Sequence, residues 1–139
     1  FGVSADVWSA TSFKRLRNDA LNAQRWNMLH PTEPPRQSYL ETALANQLGP
    51  FIAVSDHMKI VADQIAPWVP GRLTSLGTDG FGRSDFRSKL REHFEVNRHY
   101  IVLAALKALA DEGSLPLTKV AEAIGKYGIK TDKINPLYA

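Results

Sequence analysis

The side chains of this 139-residue chain that could do chemistry are four histidines, one glycine-rich loop and a scatter of carboxylates. His30, His57, His93 and His99 include no pair at H-x-x-x-H spacing and no H-E-x-x-H, so no zinc helix is expected. There is no cysteine, which removes disulfides, thiolate metal sites and cysteine nucleophiles. Serines are frequent, yet none sits in the G-x-S-x-G elbow of a hydrolase nucleophile. The strongest local feature is Gly77-Thr78-Asp79-Gly80-Phe81-Gly82, continuing into Arg83-Ser84-Asp85. It lies between an expected strand and an expected helix, where α/β folds place ligands and where backbone amides can hold an anion. Its G-x-x-G-x-G spacing is neither a dinucleotide fingerprint nor a P-loop. A tight turn exploiting glycine dihedrals is therefore the first reading, and an anion or nucleotide module the second. Asp79 and Asp85 are a possible carboxylate pair, although Asp85 is also placed to cap a helix.

These residues need elements to position them. Alternation from Val3 to Trp8 predicts a strand. Thr11 and Ser12 offer N-caps for a helix over 13–28, which His30 to Pro35 must break. Ser38 and Glu41 form an S-x-x-E capping box opening a helix over 39–47. Phe51–Val54 reads as a buried strand, with Ser55 and Asp56 as caps for a helix carrying Ile60, Val61, Gln64, Ile65 and Trp68. Leu73–Leu76 reads as a further strand, after which Ser84 and Asp85 are expected to cap a helix with Phe86, Leu90 and Phe94. His57 then falls in a first helical turn and His93 on a helix surface. Asn97 opens a helix to Ala110, and Leu117 to Tyr127 repeats at helical spacing with Gly128 as its stop. Trp8, Trp26 and Trp68 read as core or interface residues. Residues 130–139 read as a polar tail. Strands separated by helices predict parallel pairing and an α/β domain with helices on both faces.

Composition limits the function classes. Hydrophobic residues at 44% and charged residues at 22% are those of an ordinary globular domain, which disfavours intrinsic disorder. No apolar run approaches the ~20 residues of a membrane span. The formal charge of +3 is spread over two helix-like segments. One holds Lys14, Arg15, Arg17 and Arg25; the other holds Arg83, Arg87, Lys89, Arg91 and Arg98. Such faces suit an acidic protein partner better than nucleic acid, which favours a denser basic stripe with aromatics.

The ordered segments Val7-Trp8-Ser9-Ala10-Thr11-Ser12-Phe13, Gln24-Arg25-Trp26-Asn27-Met28-Leu29-His30-Pro31, Gly77 to Asp85, His93-Phe94-Glu95-Val96 and Asn135-Pro136 closely resemble the homodimeric bacterial pyruvate dehydrogenase family. The resemblance spans nearly the whole chain and is to the C-terminal part of the decarboxylating component. It implies a three-layer αβα, transketolase C-terminal-like domain with a mostly parallel sheet, covering residues 1–139. The domain is expected to be partial, lacking its first strand and helix, so a chain beginning at Phe1 is expected to be a piece of a longer one.

The family decarboxylates pyruvate on thiamine diphosphate with magnesium and acetylates lipoyl groups of a dihydrolipoyl acetyltransferase core, in the bacterial cytoplasm. Its cofactor and proton-handling motifs lie in earlier domains and are absent here. The resemblance therefore assigns no catalytic, cofactor-binding or metal residue to this chain, and no bound cofactor is expected on it. It implies packing against the rest of the subunit and the dimer mate, with neither nucleic acid nor membrane as partner. Gly77, Thr78, Asp79, Gly80, Phe81, Gly82, Arg83, Ser84 and Asp85 are the expected contact loop. Glycines allow close approach, Phe81 can anchor in a pocket, and Arg83 can grip a carboxylate.

Overall fold

A computed structural model describes all residues, 1–139. The elements run α1 (Phe13–Leu29), α2 (Tyr39–Leu44), β1 (Phe51–Val54), α3 (Lys59–Asp63), a 3₁₀ turn (Ala66–Trp68), β2 (Leu73–Leu76), α4 (Arg87–His93), α5 (Arg98–Asp111), α6 (Leu117–Tyr127) and a final 3₁₀ turn (Pro136–Tyr138).

Local signals explain most of these boundaries. The Ser12 hydroxyl accepts from the Arg15 amide and starts α1. Ser38 and Glu41 close the expected capping box, each side chain bonding the other's backbone amide. Asn97 accepts from the His99 and Tyr100 amides at the start of α5. α6 ends on Gly128 in the left-handed conformation, with the Ile129 amide reaching back to the Ile124 carbonyl.

β1 and β2 pair in parallel, Phe51 opposite Leu73 through Val54 opposite Leu76, with α3 in the crossover. Both α3 and α5 pack on the two strands, so the ribbon is flanked by helices in the expected α/β manner. Leu40, Leu44 and Ile65 form one core, against which Phe13, Phe51 and Leu73 pack. A second core lies between α5 and α6, where Leu106, Val120 and Ala123 meet.

The sheet holds two strands because Val3–Trp8 is not one. Alternation gives a strand its two faces, but a strand also needs a neighbour for its amides and carbonyls. Here residues 1–11 are exposed, with Val7 at 95%. The expected helix through Trp68 also stops early. α3 ends at Asp63, and Pro67, which has no amide hydrogen, sits in the 3₁₀ turn. The helix expected to run to 47 ends at Leu44 and unwinds through a turn in which the Gln47 amide bonds the Leu44 carbonyl.

Candidate functional site

The loop that leaves β2 meets the loop that leaves β1. The Thr78 amide donates to the His57 carbonyl at 2.9 Å, and the Thr78 hydroxyl donates to the Asp56 carbonyl at 2.9 Å. Gly77 is buried in this junction, and a Cβ there would lie 2.5 Å from the His57 oxygen and 2.7 Å from the Lys59 nitrogen. Only glycine lets the two backbones close to this distance.

The capping of α3 follows from the same junction. Ser55 and Asp56 do not cap it: its N-cap is Met58, which has no side-chain bond to give. Asp79 supplies the acceptor across the junction, taking the Lys59 amide at 3.3 Å. His57 accordingly lies before α3 and not in its first turn. Asp85 and Ser84 likewise do not cap α4, whose N-cap is Phe86; Asp85 accepts from the Phe86 amide at 2.7 Å, one residue on.

The second half of the loop behaves differently. Gly80, at φ 106°, abuts the backbone of Pro136, whose side chain is buried. Gly82 has open space around it. Phe81, Gly82, Arg83, Ser84 and Asp85 are all exposed, Phe81 at 78%, and neighbouring Phe86 reaches 82%.

Residues 130–139 form a strap docked on α4 and this loop. The Lys133 ammonium donates to the Glu92 and His93 carbonyls at 3.0 and 2.6 Å, where a helix C-terminus favours a cation. It also pairs with Glu95 at 3.2 Å. Glu95 is the one non-glycine residue at positive φ, 61°, and closes α4 with the Val96 amide bonded to the Arg91 carbonyl. Replacing Glu95 by valine is expected to cost about 2 kcal/mol, because a β-branched residue resists the left-handed region. Glu95→Gly is expected to stay within about 1 kcal/mol of the parent, since relieved strain offsets a partly exposed ion pair. Urea unfolding midpoints for both variants check the order.

His93 is not on a helix surface as expected. Its Nε2 is buried without a partner and its ring meets Phe94 edge-on at 4.8 Å. Burial chiefly, then the charges of Arg83 and Lys133, lower its pKa and favour the neutral imidazole. The other histidines are engaged separately. His30 stacks on Trp26 at 4.3 Å and its Nδ1 lies 2.8 Å from the Trp26 carbonyl. His99 stacks on Tyr127 at 4.4 Å.

No three His, Asp or Glu side chains converge as metal ligands, and Asp79 and Asp85 are both spent on backbone amides. The residues present therefore do not fit a magnesium diphosphate. The Thr78 amide is occupied by the His57 carbonyl and is not available to a phosphate. No helix is long and apolar enough to cross a membrane.

Comparison with known proteins agrees with the α/β fold. Residues 1–97 match the family described as the transketolase-like TK C-terminal domain. Over 138 residues the chain is 58% identical to the pyruvate dehydrogenase E1 component of Pseudomonas aeruginosa, covering 99% of this chain and 16% of that protein. The protein of the same name from Cupriavidus necator is 51% identical, covering 99% of this chain and 15% of its own length. That from Escherichia coli K12 is 47% identical over 140 residues, covering 100% and 16%. The chain thus spans about a sixth of the length of the curated relatives it matches.

Proposed function

This chain belongs to the family of transketolase-like C-terminal domains, and from that premise we propose that it is the C-terminal, non-catalytic domain of a pyruvate dehydrogenase decarboxylating component. The whole enzyme decarboxylates pyruvate on thiamine diphosphate with magnesium, held by other domains, and passes the acetyl group to lipoyl groups. This chain, residues 1–139 with 130–139 as its strap, supports packing within the subunit, against the dimer mate and in the complex with the acetyltransferase core. The setting is the bacterial cytoplasm.

The observation that carries this reading is the surface the chain leaves uncovered. A compact monomer of 15.4 kDa exposes about 7,200 Å², whereas this chain exposes 9799 Å². Only 14 of its 139 residues are buried, and Val7, Leu48, Phe81 and Phe86 stand more than three quarters exposed. The excess is of the size that a large protein interface covers. Exposed apolar side chains in such number mark contact surfaces. The loop from Gly77 to Asp85 fits one of them, because its first half is locked to the domain while Phe81 and Arg83 are free to reach outward.

The test compares the isolated chain with the full-length subunit. With thiamine diphosphate and magnesium supplied, only the full-length subunit is expected to consume pyruvate; turnover by the isolated chain would sink the non-catalytic reading. In the full-length subunit, Phe81→Ser is expected to loosen dimer or complex assembly by about tenfold, read by sedimentation. Unchanged assembly would remove the loop from the interface.

A further inference from the structure

A basic groove lies beyond the carboxyl ends of β1 and β2. It consists of two adjoining clefts, about 1160 and 350 Å³, which share Asp56, Arg87, Arg91 and Val96 as their dividing ridge. Arg83 lines the smaller cleft, so Arg83, Arg87 and Arg91 stand along it at a stride of four residues. The position past the strand ends is where open α/β sheets bind ligands.

The three arginines have no protein partner. The five ion pairs of the chain use Arg72, Lys89, Lys107, Lys119 and Lys133, and none of the side-chain hydrogen bonds uses Arg83, Arg87 or Arg91. Arg91 is half-buried along its stem and its guanidinium is left without a protein acceptor. Of the two carboxylates on the groove walls, Glu92 is already 3.7 Å from Lys89, leaving Asp56. The excess positive field reaches His93, which Arg83 and Lys133 help to keep neutral. A planar guanidinium fork matches phosphate oxygens two at a time.

We propose that this groove binds a small molecule carrying a diphosphate group, gripped across the Arg87–Arg91 ridge with Arg83 closing the smaller cleft. Arg87 and Arg91 stand one turn apart on α4, a spacing that suits a compact diphosphate better than an extended acidic peptide. The site uses the guanidinium side chains. The inference rests on Arg87 and Arg91, which lie outside the exposed loop, and shares Arg83 with the contact role proposed for that loop.

The test is calorimetric titration of inorganic pyrophosphate into the full-length protein, in excess thiamine diphosphate and magnesium so that any site for those is filled. Saturable binding is expected, and it should weaken by about tenfold or more in Arg87→Ala and in Arg91→Ala. Arg25→Ala, on α1, should leave it unchanged. Arg91→Lys keeps the charge and tests the fork, with binding expected between parent and Arg91→Ala; it replaces Arg91→Ala should that variant unfold. A parallel titration with adenosine diphosphate separates recognition of the diphosphate alone, equal affinity, from a contribution of the stacked His99–Tyr127 pair, tighter affinity. Absence of saturable pyrophosphate binding, or equal weakening by Arg25→Ala, overturns the proposal.

Discussion

Gly77→Ala is expected to destabilise the fold by about 3 kcal/mol, the upper part of the range for forcing a methyl into a packed site. The added Cβ would stand 2.5 Å from the His57 oxygen and 2.7 Å from the Lys59 nitrogen. These are backbone atoms, and no rotamer change relieves them. To make room, the two loops must part. Parting breaks the Thr78 bond to the His57 carbonyl and draws Asp79 away from the Lys59 amide. The first loss is worth about 1 kcal/mol, and the second leaves α3 without a side-chain cap. The measurement is the urea midpoint at unchanged slope. Gly82→Ala is the control. Nothing lies within 4 Å of its added methyl and its φ is not positive, so it should fall within about 0.5 kcal/mol of the parent. Equal effects at the two positions would refute the close-approach account of Gly77.

Gly80→Val is expected to release the strap. At φ 106° a β-branched side chain is strained by about 1–3 kcal/mol, and its Cβ would run into the Pro136 carbonyl, with Leu137 Cα at 3.3 Å. The strap is the part that can yield. Its retreat uncovers Pro136, which is buried, and weakens the Lys133 bonds to the end of α4. The α5–α6 core around Leu106 shares none of these contacts. The expected signature is therefore local: amide exchange and proteolysis rise over residues 130–139 while α5 and α6 keep their protection. Uniform loss of protection across the chain would show that the strap and the helical core unfold together.

These two glycines separate the parts of the loop that the fold consumes from the part left for a partner. Gly77, Thr78 and Asp79 are committed to β1's loop and to α3, and Gly80 to the strap. Phe81 to Asp85 contact little of the domain and carry the interface proposal. The sequence marked the whole nine-residue block, because it falls between a strand and a helix and combines glycines with Phe81 and Arg83. It did not distinguish a glycine needed inside from one left outside.

Much of the fold was legible from short-range pattern. Ser12, the Ser38–Glu41 box, Asn97 and Gly128 act within a few residues of where they stand, so the helix ends they set were readable along the chain. The two strands also fell at the expected positions, the apolar run Phe51–Val54 and the segment Leu73–Leu76. The Val3–Trp8 expectation failed because alternation records two faces and says nothing of a pairing neighbour. The burial of His93 and the docking of 130–139 were equally hidden, because both are made by residues remote in sequence.

By itself, then, the sequence determined the helices, the parallel strand–helix–strand order and the family. Only the tertiary structure decided that Asp79 caps a helix twenty residues earlier, that Lys133 closes α4 from forty residues away, and that three arginines line one groove without partners. The reason is physical. Caps and periodicity are fixed by the geometry of one turn, whereas these contacts exist only once the β1–β2 register has brought both strand ends, and the loops behind them, to the same side of the molecule.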